Sequence, residues 1–174
     1  NDTLYGGSGD DSLFGDAGND VINGQAGNDF AEGGTGNDTI NGEAGLDVLN
    51  GGPNDDTIFG GNDDDTLNGN DGADLLYGGP GGDTISGGNQ DDRIFGEDGN
   101  DTLRGDDGAD EVRGGSGNDS IYGGNQNDQI FGEGDDDYVE GNAGTDTLSG
   151  GAGNDFLIGG GSTAGSDGGA GDVI

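Results

Sequence analysis

A nine-residue period runs through almost the whole chain and limits its fold more than any other feature. From Gly6 to Ile158, seventeen nonapeptides follow one another without insertion or deletion. The first place is Gly and the sixth is Asp in all seventeen, and the fourth is Gly in twelve. The eighth place is Leu, Ile or Val in sixteen, with Ala31 as the exception. So short a period indicates stacked copies of one small unit, because a single copy cannot bury its apolar residue alone.

The fixed places of the nonapeptide have different physical causes. Glycine permits positive φ and close backbone approach, so six residues can turn tightly with their carbonyl groups pointing inward. The last three residues read as a short strand, in which the eighth side chain points inward and the seventh and ninth point outward. In the repeat Gly114–Tyr122, Ile121 is the inward residue between Ser120 and Tyr122. One nonapeptide is therefore predicted to supply one turn and one strand.

A strand, a turn, a returning strand and a second turn close one coil in eighteen residues. Residues eighteen apart should then be neighbours, about 4.8 Å apart in a parallel ladder. The outward-facing residues agree, since Arg93 and Glu111 have this spacing and would form an opposite-charge pair. An aromatic ladder interrupted by one guanidinium, which could stack on both neighbours, is predicted in the ninth place at Phe59, Tyr77, Phe95, Arg113 and Phe131. The loop Gly114–Asp119 is predicted to lie between Gly96–Asp101 and Gly132–Asp137.

The regular array is predicted to occupy residues 1–158, because the nine-residue register fails after Ile158. Residues 159–174 then form an irregular array end or an exit segment. The chain begins at Asn1 in the middle of a repeat, which suggests excision from something longer. No apolar run is long enough for a transmembrane helix or a signal peptide.

The charge of the chain restricts its partners. Thirty-eight acidic residues face three arginines and no lysine, for a net charge of −35. Without the period, this composition would predict a disordered polyanion. No basic patch is present for nucleic acid, and an anionic membrane would repel the chain, whereas cations are attracted. The absence of Cys and His removes disulfides and the usual zinc ligands, so hard cations that prefer oxygen are the candidates.

The repeated G-G-x-G-x-D-x-U-x, with U a large aliphatic residue, resembles the RTX (repeats-in-toxin, hemolysin-type) calcium-binding family over Gly6–Ile158. This resemblance implies an all-β, right-handed parallel β-roll (a β-solenoid) with two nonapeptides per 18-residue turn. It also implies Ca²⁺ between successive turns on each side, bound by backbone carbonyls and sixth-place carboxylates of two stacked loops. The implied metal ligands are Asp11, Asp20, Asp29, Asp38, Asp47, Asp56, Asp65, Asp74, Asp83, Asp92, Asp101, Asp110, Asp119, Asp128, Asp137, Asp146 and Asp155.

Electrostatics favours the same interpretation. Seventeen loops form stacks of nine and eight, which leave about fifteen inter-loop positions, and fifteen divalent ions would bring +30 against −35. Without ions, stacked aspartates about 4.8 Å apart repel one another, so binding and folding are predicted to be one event. Mg²⁺ should substitute poorly because it demands octahedral geometry and keeps its waters.

Departures from the motif predict weaker individual sites. Gln90 and Gln126 replace the fourth-place glycine and tolerate a left-handed backbone less well than glycine does. Asn54, Asp63 and Asp135 occupy the same place in other repeats and tolerate this backbone better than glutamine does. The repeat Gly132–Glu140 departs at both the second and the fourth place and is predicted to have the weakest site. The fifth-place acids are predicted to support the ion field as solvated groups rather than as direct ligands; they are Asp10, Asp55, Asp64, Asp91 and Asp136.

Three classes of function compete to explain these features. The first is a non-catalytic module of a secreted, type I exported protein, which the resemblance implies folds on Ca²⁺ outside the cell or at its surface. The second is an accessory module of a secreted hydrolase; these residues offer no His, Cys or Lys base and only equivalent carboxylates. The third is an adhesive or ice-binding array, for which the Thr66, Thr84 and Thr102 rank is too irregular to bind ice. Calcium is the predicted partner, without nucleic acid or membrane insertion, and a protein or carbohydrate partner stays open.

Overall fold

All regular structure in the described part of the chain is β-strand. The computed structural model describes residues 1–160 and 164–165. Nineteen strands are β1 Thr3–Ser8, β2 Ser12–Phe14, β3 Val21–Ala26, β4 Phe30–Glu32, β5 Thr39–Ala44, β6 Val48–Pro53, β7 Thr57–Asn62, β8 Thr66–Asp71, β9 Leu75–Pro80, β10 Thr84–Asn89, β11 Arg93–Asp98, β12 Thr102–Asp107, β13 Glu111–Ser116, β14 Ser120–Asn125, β15 Gln129–Gly134, β16 Tyr138–Ala143, β17 Thr147–Ala152, β18 Phe156–Ile158 and β19 Ala164–Gly165. Within the described residues, no helix has the length and apolar character needed to span a membrane.

The strands form two parallel sheets that the chain visits alternately. Odd-numbered strands form a ten-stranded sheet and even-numbered strands a nine-stranded sheet, each in chain order. Each strand pairs with the strands two before and two after it in an eighteen-residue register, as in Leu76↔Ile94 and Ile94↔Val112. The fold is a parallel β-solenoid with two nonapeptides per turn, which confirms the predicted architecture.

Most strands are twice as long as the three residues predicted. They begin at the seventh place of one repeat and end at the third place of the next, as β14 does from Ser120 to Asn125. Past the first-place glycine, the register continues, with Asp106↔Gly124 and Asp107↔Asn125. Stacking at a constant spacing gives these residues a backbone partner in the next coil, so the irregular part of each turn shrinks to places four to six.

The hydrophobic core is a single aliphatic row in each sheet. The eighth-place residues from Ile22 to Leu157 are at most 3% exposed, and Ala31 is accommodated at 1%. Leu4 and Leu13, in the first coil, are only partly buried against this core. The sixth-place aspartates are buried beside the same rows. Because so thin a core contains carboxylates, apolar burial alone cannot account for the fold.

The two outward sheet faces are nearly neutral, although the chain is not. The seventh and ninth places of β1 to β18 carry six charged residues of zero net charge: Glu32, Arg93, Arg104, Glu111, Arg113 and Glu140. These include all three arginines but only three of the thirty-eight acids. The negative charge is therefore concentrated outside these sheet-face places, mainly in the turns.

The predicted ladder is present on the face of the odd-numbered strands. The rings of Phe59 and Tyr77 stack at 5.1 Å, and those of Tyr77 and Phe95 at 4.9 Å. Arg113 lies over Phe131 at 4.5 Å and donates hydrogen bonds to Glu111 and Glu133. Contrary to the prediction, it does not stack on Phe95, because its guanidinium is held by the two glutamates, and Arg93 lies over Phe95 instead, at 5.5 Å. Arg93 pairs with Glu111 at 3.1 Å, as predicted. These contacts confirm the eighteen-residue register from the side chains.

The regular spacing shortens after β18. Strand β19 pairs with β17 through Thr147↔Ala164 and Leu148↔Gly165, a separation of seventeen residues. One residue has been lost from the coil, in agreement with the register failure after Ile158. The predicted end segment, 159–174, lies largely outside the described residues, so the division at 158 stays a prediction.

Candidate metal sites

The sixth-place aspartates end each turn and direct their carboxylates inward. From Asp11 to Asp137, the carbonyl oxygen of each accepts a hydrogen bond from the strand of the next coil, as in Thr57 N to Asp38 O at 2.9 Å. This bond places the aspartate at the entrance of a strand, with its side chain beside the core. From Asp20 to Asp155, these residues are at most 3% exposed. The residue type that most favours water is thus held in two continuous buried rows.

One carboxylate oxygen of each row member is used in a fixed hydrogen bond. The amide of Asp101 donates to Asp119 Oδ1, and the amide of Asp119 donates to Asp137 Oδ1, both at 2.9 Å. Equivalent bonds elsewhere are 2.7 to 3.1 Å long. The predicted position of loop Gly114–Asp119, between the loops eighteen residues before and after it, is thereby confirmed.

The other carboxylate oxygen has no hydrogen-bond partner. This holds for Oδ2 of the sixteen sixth-place aspartates from Asp11 to Asp146. A buried polar atom without a partner is costly, and a buried charge is much more so unless it is paired or coordinates a metal. One orphaned oxygen could reflect local strain. Sixteen in equivalent positions are a property of the repeat itself, and a cation bound beside each oxygen would satisfy them all.

The first-place glycine leaves space where two kinds of oxygen converge. A Cβ added to Gly60 would lie 2.6 Å from Asp65 Oδ2 and 2.6 Å from the carbonyl oxygen of Gly78 in the next coil. The same pair of contacts recurs at the first-place glycines from Gly6 to Gly141. Carboxylate and carbonyl oxygens are the donors that Ca²⁺ prefers, so the residues present fit this ion. In the described residues no three acidic groups converge as a metal site, so carbonyl oxygens must complete any coordination.

Filling this space should abolish local cation binding. We expect Gly60→Ala to lower the free energy of unfolding in Ca²⁺ by about 1–3 kcal/mol, because the new methyl group must displace the Asp65 carboxylate or the Gly78 carbonyl. Gly82→Ala is the matched control, since its Cβ would meet nothing closer than the Asn100 carbonyl oxygen at 3.4 Å. Urea unfolding at fixed Ca²⁺ measures both. Equal midpoints for the two variants would contradict the assignment of this space.

Burial raises the pKa of most of these aspartates. It raises the pKa to about 8 for Asp92, and to about 7 for Asp56, Asp65, Asp83, Asp119, Asp128 and Asp137. For Asp119, the backbone hydrogen bond from Asp101 opposes this effect, and repulsion by the charges of Asp101 and Asp137 adds to it. Without a cation, the buried rows therefore favour partial protonation at neutral pH.

The second place of the turn imposes a constraint that the sequence interpretation missed. Its φ is positive in every repeat, yet the residue is often not glycine: Asp16, Gln25, Glu43, Asn70, Glu97, Asp106, Glu133 and Asn142 adopt φ between 62° and 82°. At the fourth place, Gln90 and Gln126 also adopt the left-handed conformation, with φ of 80° and 78°. In the repeat Gly132–Glu140, two such residues still leave Asp137 buried at the same contacts. Its predicted weakness stays a prediction.

The fifth-place acids have a structural contact that had not been predicted. They are exposed, but Oδ1 of Asp64 accepts the amide of Gly82 at 2.8 Å, and Oδ1 of Asp91 accepts that of Ala109 at 2.9 Å. Hydrogen bonds from Asn154 lower the pKa of Asp136 below its ordinary value. These exposed carboxylates are thus backbone acceptors, and their predicted support of the ion field stays a prediction.

Two parallel sheets joined by turns with buried aspartates define a solenoid built to bind cations along its turns. The family model described as RTX calcium-binding nonapeptide repeat (4 copies) matches residues 1–31, 23–58, 32–67, 50–85, 68–103, 77–112, 104–139 and 140–163. The chain therefore belongs to the RTX calcium-binding nonapeptide repeat family. The RTX β-roll is a calcium-binding structural module rather than a catalytic one. No curated protein sequence matches the chain.

Proposed function

We propose that the chain binds about fifteen Ca²⁺ ions between stacked turns and folds as it binds them. The observation that carries this proposal is the row of buried Oδ2 atoms without hydrogen-bond partners. The seventeen sixth-place aspartates would be the carboxylate ligands, each shared between loops eighteen residues apart. Carbonyl oxygens such as that of Gly78 would complete the oxygen set.

Coupling between binding and folding follows from the contents of the interior. Neighbouring carboxylates about 4.8 Å apart repel by about 3 kcal/mol per pair at an effective dielectric constant of about 20. Summed along two rows, this repulsion exceeds the 5–15 kcal/mol by which folded domains are usually stable. About fifteen divalent ions would bring the net charge of −35 close to zero. Metal binding free energy then supplies the folding free energy that the thin core lacks.

The setting proposed for this module is a secreted protein outside the cell or at its surface. RTX repeats are typical of secreted bacterial proteins. A chain that folds only with Ca²⁺ would stay unfolded at low cytosolic Ca²⁺, during type I export, and would fold after leaving the cell. The net charge supports this order of events, because a chain with a net charge of −35 and no bound ions repels itself and favours the unfolded state.

Equilibrium dialysis tests the ion-binding proposal directly. We expect about fifteen Ca²⁺ per chain, and little displacement by a tenfold excess of Mg²⁺, because Mg²⁺ retains its waters. Asp119→Asn should remove one or two ions, since it keeps an oxygen for the Asp101 amide but loses the buried charge. Asp91→Asn, at an exposed fifth place, is the matched control and should leave the count unchanged. A count of one or two ions in the unaltered chain would refute the proposal.

A further inference from the structure

A second ladder of hydrogen bonds runs along the exposed edges of the turns. In eleven repeats the fifth-place amide donates to Oδ1 of an Asn or Asp eighteen residues earlier, at 2.7 to 3.3 Å. The acceptors are Asn1, Asp10, Asn19, Asn28, Asp55, Asp64, Asp91, Asn100, Asn118, Asn127 and Asp136. Amide and carboxylate side chains serve equally, so the shared property is the oxygen and not the charge.

The fifth-place ladder and the buried aspartate ladder run in opposite directions. The amide of Asn118 donates backward to Asn100 at 2.7 Å, whereas the amide of Asp119 donates forward to Asp137 at 2.9 Å. Oδ1 of Asn118 accepts the amide of Asp136 at 2.9 Å, and Oδ1 of Asp119 accepts that of Asp101. Where both ladders are present, two successive residues thus tie a turn to both neighbouring coils, next to the orphaned Oδ2.

The fifth-place ladder is interrupted wherever the side chain has no oxygen, and also between Asp55 and Asn37, where no such bond forms although Asn37 has a side-chain oxygen. The fifth-place residues without an oxygen are Leu46, Ala73, Gly82 and Ala109. Between Gly82 and the end of the array, one stack keeps an unbroken run through Asn100, Asn118 and Asp136 to Asn154. The chain therefore contains turns with and without this support, although the sixth-place aspartate is the same in all of them.

We propose that the fifth-place Asn and Asp side chains are positioning residues for the calcium sites. This inference rests on the proposed function. Fixing the fifth-place amide from one coil and the sixth-place amide from the other orders the peptide group that leads into the buried carboxylate. Because folding accompanies binding, this hydrogen bond forms only in the folded, ion-bound turn, where it stabilises the bound state and raises the Ca²⁺ affinity of that turn.

Two matched pairs of variants of the whole chain test the proposal. Asn118→Ala removes the acceptor for the Asp136 amide, whereas Asn118→Asp keeps it, as the natural Asp64 does for Gly82. Gly82→Asn adds an acceptor for the Asn100 amide and would join Asp64 to the unbroken run, whereas Gly82→Ala adds only a Cβ in open contact. A Ca²⁺ titration followed by NMR at about 0.5 M salt, which screens added charge, reads the midpoint for each amide.

We expect Asn118→Ala to raise the Ca²⁺ midpoint of the Asp119 and Asp137 amides about fivefold, and that of the distant Asp29 amide much less. Asn118→Asp should restore the value of the unaltered chain. Gly82→Asn should lower the midpoint at Asp101 relative to Gly82→Ala. Equal shifts at all amides, or the same midpoint in both Asn118 variants, would overturn the positioning role. If no amide of the unaltered chain shifted on addition of Ca²⁺, the proposed function itself would be overturned.

Discussion

Removal of calcium is expected to convert the roll over residues 1–158 into an unfolded chain. The reason is that sixteen buried Oδ2 atoms have no hydrogen-bond partner, while the core contributes one aliphatic side chain per nonapeptide. Far-ultraviolet circular dichroism in excess chelator should lose its β signal and regain it when millimolar Ca²⁺ is restored. Size-exclusion chromatography should show a matching increase and decrease in hydrodynamic radius, because folded domains are much more compact than unfolded chains.

Two controls separate metal binding from charge screening. Monovalent salt at about 0.5 M shortens the Debye length to a few ångströms and screens the exposed turn acids, but it cannot provide a ligand to a buried oxygen. We therefore expect salt alone to leave the chelated chain unfolded. Mg²⁺ at the same concentration as Ca²⁺ should restore little of the β signal. The same β content in chelator and in Ca²⁺ would disprove the coupling between binding and folding.

Acidification is expected to replace part of the missing calcium. The folded-state pKa is about 6 for Asp74, Asp101 and Asp110, and about 7 or 8 for most of their neighbours, against 3.8 for an ordinary aspartate. The folded chain therefore binds more protons than the unfolded chain between these values. This contribution to stability is fully present below pH 3.8 and is lost as the pH rises through about 6 to 8. In chelator, lowering the pH from 8 to 5 should increase the β signal.

Acidification is expected to have the opposite effect on Ca²⁺ binding, which it should weaken. Protons and Ca²⁺ compete for the same buried carboxylates, so the apparent Ca²⁺ affinity should fall below about pH 7. Analytical ultracentrifugation at each pH distinguishes the folded monomer from associated chains, because a pI of about 4.1 favours association as the pH falls toward it. A chelated chain that stays unfolded and monomeric at pH 5 would show that buried carboxylates do not control folding.

The regular parts of this protein follow from its sequence because each has a cause at a single place in the repeat. The inward residue must be aliphatic, as Ile121 is, because it is the only side chain that the strand adds to the core. The eighteen-residue turn could be predicted from Phe59, Tyr77 and Phe95, because stacked rings require neighbours at a constant spacing. The sixth-place aspartates could be predicted as metal ligands, because an acid repeated in every turn has no simple explanation other than cation binding.

The tertiary structure alone decided how the turns are held together. The six-residue strands, the positive φ of residues such as Glu43 and Gln25, and the opposite ladders at Asn118 and Asp119 all depend on contacts between coils eighteen residues apart. A second-place glutamate or a fifth-place asparagine looks like an ordinary polar residue in the sequence. The fifth-place asparagine acquires its role only when stacking brings the amide of the next coil to its side-chain oxygen. The second-place glutamate acquires its role only because stacking requires its backbone to adopt a positive φ.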